Sequence, residues 1–208
     1  MVQLLVIFDL DGTLVDSEPL CNQAFLDLLP SLSETVVSLV NRYRGKKLAE
    51  ILSDIENKLG HSLPEGFEAR YRQRVADLFA TELKPMRGVP EMLGQIQHPF
   101  CIASSGPPEK IRHALAITGL ATHFGERLFS SYLVKSWKPD PGLFLHAAAT
   151  LGFAPEQCVV VEDSPVGLKA AAAAGMQALH YAPHLVAQGN TFSSMLALPS
   201  ILEQIATA

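Results

Sequence analysis

The chain has 208 residues, 48% of them hydrophobic and 18% charged, with a formal net charge of −5. That balance is too apolar for a disordered chain, and the length suits one fair-sized domain or a core carrying a smaller insertion. No sustained basic run points to nucleic acid, and three scattered cysteines, Cys21, Cys101 and Cys158, provide neither a disulfide framework nor a Cys/His metal spacing.

Residues 1–8 lack a basic start and are cut short by Asp9, so neither a signal peptide nor a membrane span is expected; the expected setting is cytoplasmic and the expected state a monomer. Beyond them, short Val- and Ile-rich runs alternate with helical patterns, which predicts an α/β fold with a mainly parallel sheet. Strands are predicted over 3–8, 100–104, 128–131, 158–161 and 178–181. Residues 16–84 contain no convincing strand. Their apolar positions (Ala24, Phe25, Leu28 and Leu29, then Leu48, Ile51, Leu52, Ile55 and Leu59) recur at helical spacing, and a third helix is predicted over 65–83. Pro85, Gly88 and Pro90 punctuate the return. The expected organisation is therefore an α/β core of residues 1–15 and 85–208, with a helical insertion of residues 16–84. The alanine run at 170–174 suits a closely packed helix, and a short final helix is predicted over 199–205.

The first, second and fourth predicted strands run into polar or acidic residues. Ligands of open parallel sheets bind beyond the carboxyl ends of the strands, so these segments are expected to share one crevice. In Phe8-Asp9-Leu10-Asp11-Gly12-Thr13-Leu14, an extended backbone would project Asp9 and Asp11 to the same side, and Gly12 would turn the chain away. Two such carboxylates repel unless a divalent metal or a raised pKa neutralises them; a solvated turn is the simpler alternative. Cys101-Ile102-Ala103-Ser104-Ser105-Gly106 offers the Ser104 hydroxyl and the backbone N–H groups of Ser105 and Gly106 to phosphate oxygens, or merely caps a helix. Trp137-Lys138-Pro139-Asp140-Pro141 supplies Lys138 as a compact cation. In Val159-Val160-Val161-Glu162-Asp163-Ser164-Pro165, an apolar strand meets an acidic pair, with Ser164 as N-cap and Pro165 at the first helical position. The pair either complements the helix dipole or contributes oxygen ligands to Mg²⁺.

In this order, and over essentially the whole chain, the four segments resemble motifs I to IV of the haloacid dehalogenase-like (HAD) hydrolase superfamily. The insertion resembles the helical cap of the subgroup containing β-phosphoglucomutases and phosphoglycolate phosphatases. The resemblance implies a Mg²⁺-dependent phosphatase in which Asp9 is the nucleophile and Asp11 the general acid and then base. Ser104 and Ser105, with Lys138, would bind phosphate. Asp9, the Asp11 carbonyl and Asp163 would hold Mg²⁺, with Glu162 either a direct ligand or a support. A capped pocket implies a small phosphorylated metabolite as partner, since a folded phosphoprotein would not enter.

The run Asn41-Arg42-Tyr43-Arg44-Gly45-Lys46-Lys47 falls where capped relatives face the active site. Lys47, ahead of Arg44, is the candidate for a substrate carboxylate or sugar hydroxyl; a solvated basic helix end is the bland reading. With the SSGPP and WKPDP contexts, the run is similar to bacterial 6-phosphogluconate phosphatases, which implies sugar or sugar-acid phosphates as substrates. Mutases of this subgroup carry a histidine where this chain has Cys21, and an arginine where it has Lys46, Lys47 and Leu48. Both departures favour transfer to water over a phosphomutase. Phosphoglycolate hydrolysis and a non-catalytic scaffold compete with sugar-phosphate hydrolysis, and the intact acidic, hydroxyl and lysine set speaks against the scaffold.

Overall fold

A computed structural model describes residues 2–207. Its centre is a parallel sheet of β1 (Leu5–Phe8), β2 (Phe100–Ser104), β3 (Leu128–Ser130), β4 (Cys158–Glu162), β5 (Gln177–Tyr181) and β6 (Thr191–Phe192), in the order β3-β2-β1-β4-β5-β6. Every residue of β1 is buried. Val6 and Phe8 join the apolar cluster on one face and Leu5 and Ile7 that on the other, which is why the strand reads as an unbroken hydrophobic run. Phe8 stands edge-on to Phe100 and Phe124 at ring separations of 6.2 and 6.4 Å. Burying such a ring stabilises the fold by roughly 1.5–3 kcal/mol.

The chain starts at the middle of the sheet, moves outward through β2 and β3, then returns to the other side of β1 for β4. The direction of winding therefore reverses at β1. Phe8 is level with Ile102 on one side and Val161 on the other, so the residues that follow all three strands emerge together. This Rossmann-like α/β core is the fold class the sequence predicts. Its helices are α5 (Val89–Leu93), α6 (Pro108–Ile117), α7 (Ala121–Phe124), α8 (Ser131–Val134), α9 (Gly142–Leu151), α10 (Pro165–Ala173) and α11 (Leu198–Thr207).

Between β1 and α5 lie α1 (Glu18–Leu28), α2 (Val36–Tyr43), α3 (Leu48–Leu59) and α4 (Phe67–Glu82). Where the chain leaves for these helices it meets itself returning. Val15 bridges Pro85 in antiparallel fashion, flanked by Asp16 N–H donating to the Lys84 carbonyl at 3.0 Å and Met86 N–H to that of Leu14 at 2.9 Å. Above this neck Phe25 of α1 stacks on Tyr71 of α4 at 4.2 Å. Both belong to the same apolar cluster as Val6 and Phe8, so burial runs without interruption from the sheet into the helices.

The structure adds elements to those predicted, among them the short helices α5, α7 and α8 and two others. One is α2, whose short run buries only Leu39 and Tyr43 and is started by a reciprocal Thr35–Ser38 capping box. The other is β6, two residues long. Among the described residues no helix is long and apolar enough to cross a membrane.

Candidate active site

The loop after β1 begins as a continuation of the sheet, with Asp9 N–H donating to the Val161 carbonyl at 3.0 Å. It then closes on itself, the N–H groups of Leu14 and Val15 converging on the Leu10 carbonyl. Gly12 permits this with φ +80°, and a Cβ there would lie 2.5 Å from Asp163 Oδ2. The loop thus comes down on the end of β4, where only glycine fits. Asp9, Glu162 and Asp163, all buried, each place a carboxylate oxygen within 4.8 Å of the others.

Lys138 is the cation of this group. Its Nζ donates to Asp9 Oδ1 at 2.5 Å and to Glu162 Oε1 at 2.6 Å. Glu162 Oε2 accepts from both the N–H (2.7 Å) and the hydroxyl (2.9 Å) of Ser164, and the Ser164 hydroxyl oxygen accepts the Gly167 N–H at 3.2 Å. Both Glu162 oxygens are thereby engaged, and the side chain ties Lys138 to the start of α10. Asp163 has looser company, with the Thr13 hydroxyl at 3.4 Å and Arg44 Nε at 3.6 Å.

The remaining candidates are placed unevenly. Asp11 does not join the trio; its Oδ1 accepts from the Ser17 hydroxyl at 2.5 Å and from Lys110 Nζ at 2.7 Å. Ser104 is buried, its hydroxyl oxygen accepting the Gly106 N–H at 3.1 Å, and it is Ser105 and Gly106 that line the cavity. That cavity, of about 1090 Å³, lies between the sheet end and the inserted helices. Lys47 lines it, with its ammonium 5.8 Å from the centre of the Trp137 ring. Among the described residues, Lys47 has no carboxylate within ion-pair distance. Arg44 is spent on Glu18, at 3.2 Å, and Asp163, while Gly45 presses against Ser164 and Val166.

Lys110, Glu18 and Arg72 also line the cavity, and sequence patterning did not single them out. Lys110, third residue of α6, reads as a solvated lysine beside the buried Ile111, Ala114 and Leu115. Arg72 pairs with Glu68 and reaches the Tyr132 hydroxyl at 3.2 Å.

Burial raises the Asp9 carboxyl to about 7, Lys138 opposing and Glu162 and Asp11 adding repulsion. Burial, then repulsion by Glu162 and Asp9, raises Asp163 to about 9. For Asp11 burial also acts upward, but the charge and hydrogen bond of Lys110 and the hydroxyl of Ser17 outweigh it and the pKa falls. Three buried carboxylates, two of them on Lys138 and the third only loosely met by Arg44, lack positive charge, and their hard oxygen donors suit a divalent cation such as Mg²⁺.

A family model described as haloacid dehalogenase-like hydrolase matches residues 4–175. The 6-phosphogluconate phosphatase of Escherichia coli K12 is 34% identical over 205 residues, covering 94% of this chain and 93% of that protein. Hexitol phosphatase A of the same organism is 33% identical, covering 81% and 78%. Among solved structures, a conserved haloacid dehalogenase-like protein of Agrobacterium tumefaciens superposes with a TM-score of 0.85 at 28% identity, covering 99% of this chain and 100% of that one.

The raised carboxyls make stability depend on pH. Unfolded, Asp9 and Asp163 release their protons near 3.8; folded, they do so only near 7 and 9. The folded state therefore holds more protons across this window, and stability falls as pH rises through it. In EDTA the thermal midpoint is expected to decline from pH 5 to pH 9, and Asp163→Asn to flatten the slope; parallel curves for the two proteins would refute the assignment. A second expectation concerns Gly167, where a Cβ would overlap the Glu162 carboxylate. Alanine at a helix position normally gains about 1 kcal/mol over glycine. Here Gly167→Ala is expected to cost about 1–3 kcal/mol in urea denaturation, because Glu162 must be displaced.

Proposed function

The chain belongs to the haloacid dehalogenase-like hydrolases, and on that footing we propose a Mg²⁺-dependent phosphatase of sugar or sugar-acid phosphates that works through a phosphoryl group on Asp9. Phosphoric monoester hydrolysis itself is the activity of its phosphatase relatives and of this chain. The observation that carries the finer reading is the buried ammonium of Lys138, held between Asp9 and Glu162 beside Asp163 in the cavity under the inserted helices.

In this reading an Asp9 carboxylate oxygen attacks phosphorus, the bond from phosphorus to the ester oxygen breaks, and Asp11 gives that oxygen its proton. Water then attacks phosphorus and yields a proton to Asp11, while the bond to Asp9 breaks and inorganic phosphate leaves. Splitting one displacement into two suits a carboxylate nucleophile, and one carboxyl can serve as acid and then base. Lys138 neutralises Asp9 and the phosphoryl oxygens, with the N–H of Ser105 and the hydroxyl of the motif residue Ser104 completing the phosphate cradle, the Gly106 N–H being spent on the Ser104 oxygen. Asp9, Asp163 and the Asp11 carbonyl would hold Mg²⁺, which supplies further charge to the transferring group. Glu162 acts through Lys138 and Ser164, since both its oxygens are used there.

Residues 16–84 serve as a cap over residues 1–15 and 85–208, excluding bulk water and selecting a small metabolite. Lys47, without an ion-pair partner among the described residues and above the Trp137 ring, is the residue we assign to a substrate carboxylate or hydroxyl, with 6-phosphogluconate as the leading candidate. Arg44, the second cap candidate, is better suited to holding the cap loop to Glu18 and Asp163. Cys21 lines the cavity with its thiol pushed by burial up to about 11, which offers no base to an incoming sugar hydroxyl and so favours water as acceptor over mutase chemistry.

Turnover of p-nitrophenyl phosphate is expected, abolished by EDTA and restored by Mg²⁺, with Asp9→Asn lowering kcat by at least about 10³-fold. Retention of wild-type turnover in that variant would remove the covalent route. Lys47→Ala is expected to raise KM for 6-phosphogluconate by about 10-fold with kcat unchanged, as loss of one charge-assisted hydrogen bond requires. A KM that stays constant across a panel of sugar-acid phosphates would take Lys47 out of substrate recognition.

A further inference from the structure

Resting on the phosphatase reading above, we propose that Lys110 is a positioning residue for Asp11. Its ammonium and the Ser17 hydroxyl clamp one oxygen of that carboxyl group, so that the other is held toward the leaving group.

Lys138 already serves Asp9 and Glu162, and Lys110, another of the cavity's lysines, pairs with a different carboxylate. Lys110 lies 2.7 Å from Asp11 Oδ1, and Asp11 is its ion-pair partner among the described residues. Three-quarters of each side chain is shielded from solvent. An ion pair so placed loses much of its hydration, a cost tolerated where the geometry it imposes is needed. The Ser17 hydroxyl lands on the same oxygen, so two donors from different segments converge on Oδ1. A carboxyl group held at one oxygen by two directions has a fixed plane, and its other oxygen has a fixed address. Proton transfer demands such fixing, since a misplacement of about 1 Å costs on the order of 10²-fold.

The lysine is itself confined. It springs from the first turn of α6, directly after the Ser105-Gly106-Pro107 segment that lines the cavity. Its ammonium lies 5.8 Å from the ring centre of Phe79, a fully buried residue of α4. The clamp on Asp11 thus takes one support from the core and another from the inserted helices.

The test is a leaving-group comparison. p-Nitrophenolate departs without a proton, whereas the alkoxide of a hexose 6-phosphate requires one. Lys110→Met, which keeps the alkyl stem, is expected to lower kcat on the hexose phosphate by about 50-fold or more and on p-nitrophenyl phosphate by less than about 5-fold. Lys110→Arg should recover part of the loss. Added to Asp11→Asn, Lys110→Met should cost little more, because the two act as one unit. Ser17→Ala removes the other donor and should show the same selectivity, which keeps the test decisive if Lys110→Met does not fold. Equal losses on both substrates, or additive losses with Asp11→Asn, would overturn the positioning role. If the wild type turned over neither substrate, the phosphatase reading itself would fall.

Discussion

One ammonium holds the site together. Lys138 touches Asp9 and Glu162, which come from the central strand and its neighbour, and its charge opposes the burial that pushes the Asp9 carboxyl up. Glu162 passes the constraint on through Ser164 to the first turn of α10, while Gly167 stays bare to make room for it. The sheet order brings these residues level, and the lysine then offsets repulsion that would otherwise drive them apart. Asp163 lies at the edge of this compensation, and its strong hold on a proton measures the charge still missing.

A second lysine divides the acidic groups by task. Asp9 and Asp163 are pushed toward protonation by burial and by the charge of Glu162, whereas Asp11, a few residues away, is pulled the opposite way by Lys110. The inserted helices contribute to both sides of this division, Arg44 near Asp163 and Phe79 behind Lys110.

Much of this was readable in the chain. Buried parallel strands carry continuous apolar runs, so β1, β2 and β4 announced themselves, and the acidic or hydroxyl residues ending them could be assigned to one crevice. What escaped was anything decided by tertiary contact. The helix α2 buries two residues and begins with a capping box built on serine instead of glutamate, so its periodicity is faint. Lys110 carries no local signal, since its role depends on Asp11 lying 99 residues earlier. Lys47 stood only slightly ahead of Arg44 in a basic run, yet the fold takes Arg44 to Glu18 and Asp163 and leaves Lys47 above Trp137. Ser104 was identifiable as a strand-end hydroxyl, but not its use in fixing the Gly106 N–H.

The neck formed by residues 14–16 and 84–86 has an entropic corollary. Because the chain departs from the sheet and rejoins it at the same spot, the span between those points adds to the entropy of closure only as the logarithm of its length. Helices there can lengthen, shorten or exchange side chains without moving the strand ends that carry the acids. The span above the neck can therefore vary in length with the sheet left in place, and its changes reach the acids only through contacts such as Arg44 with Asp163.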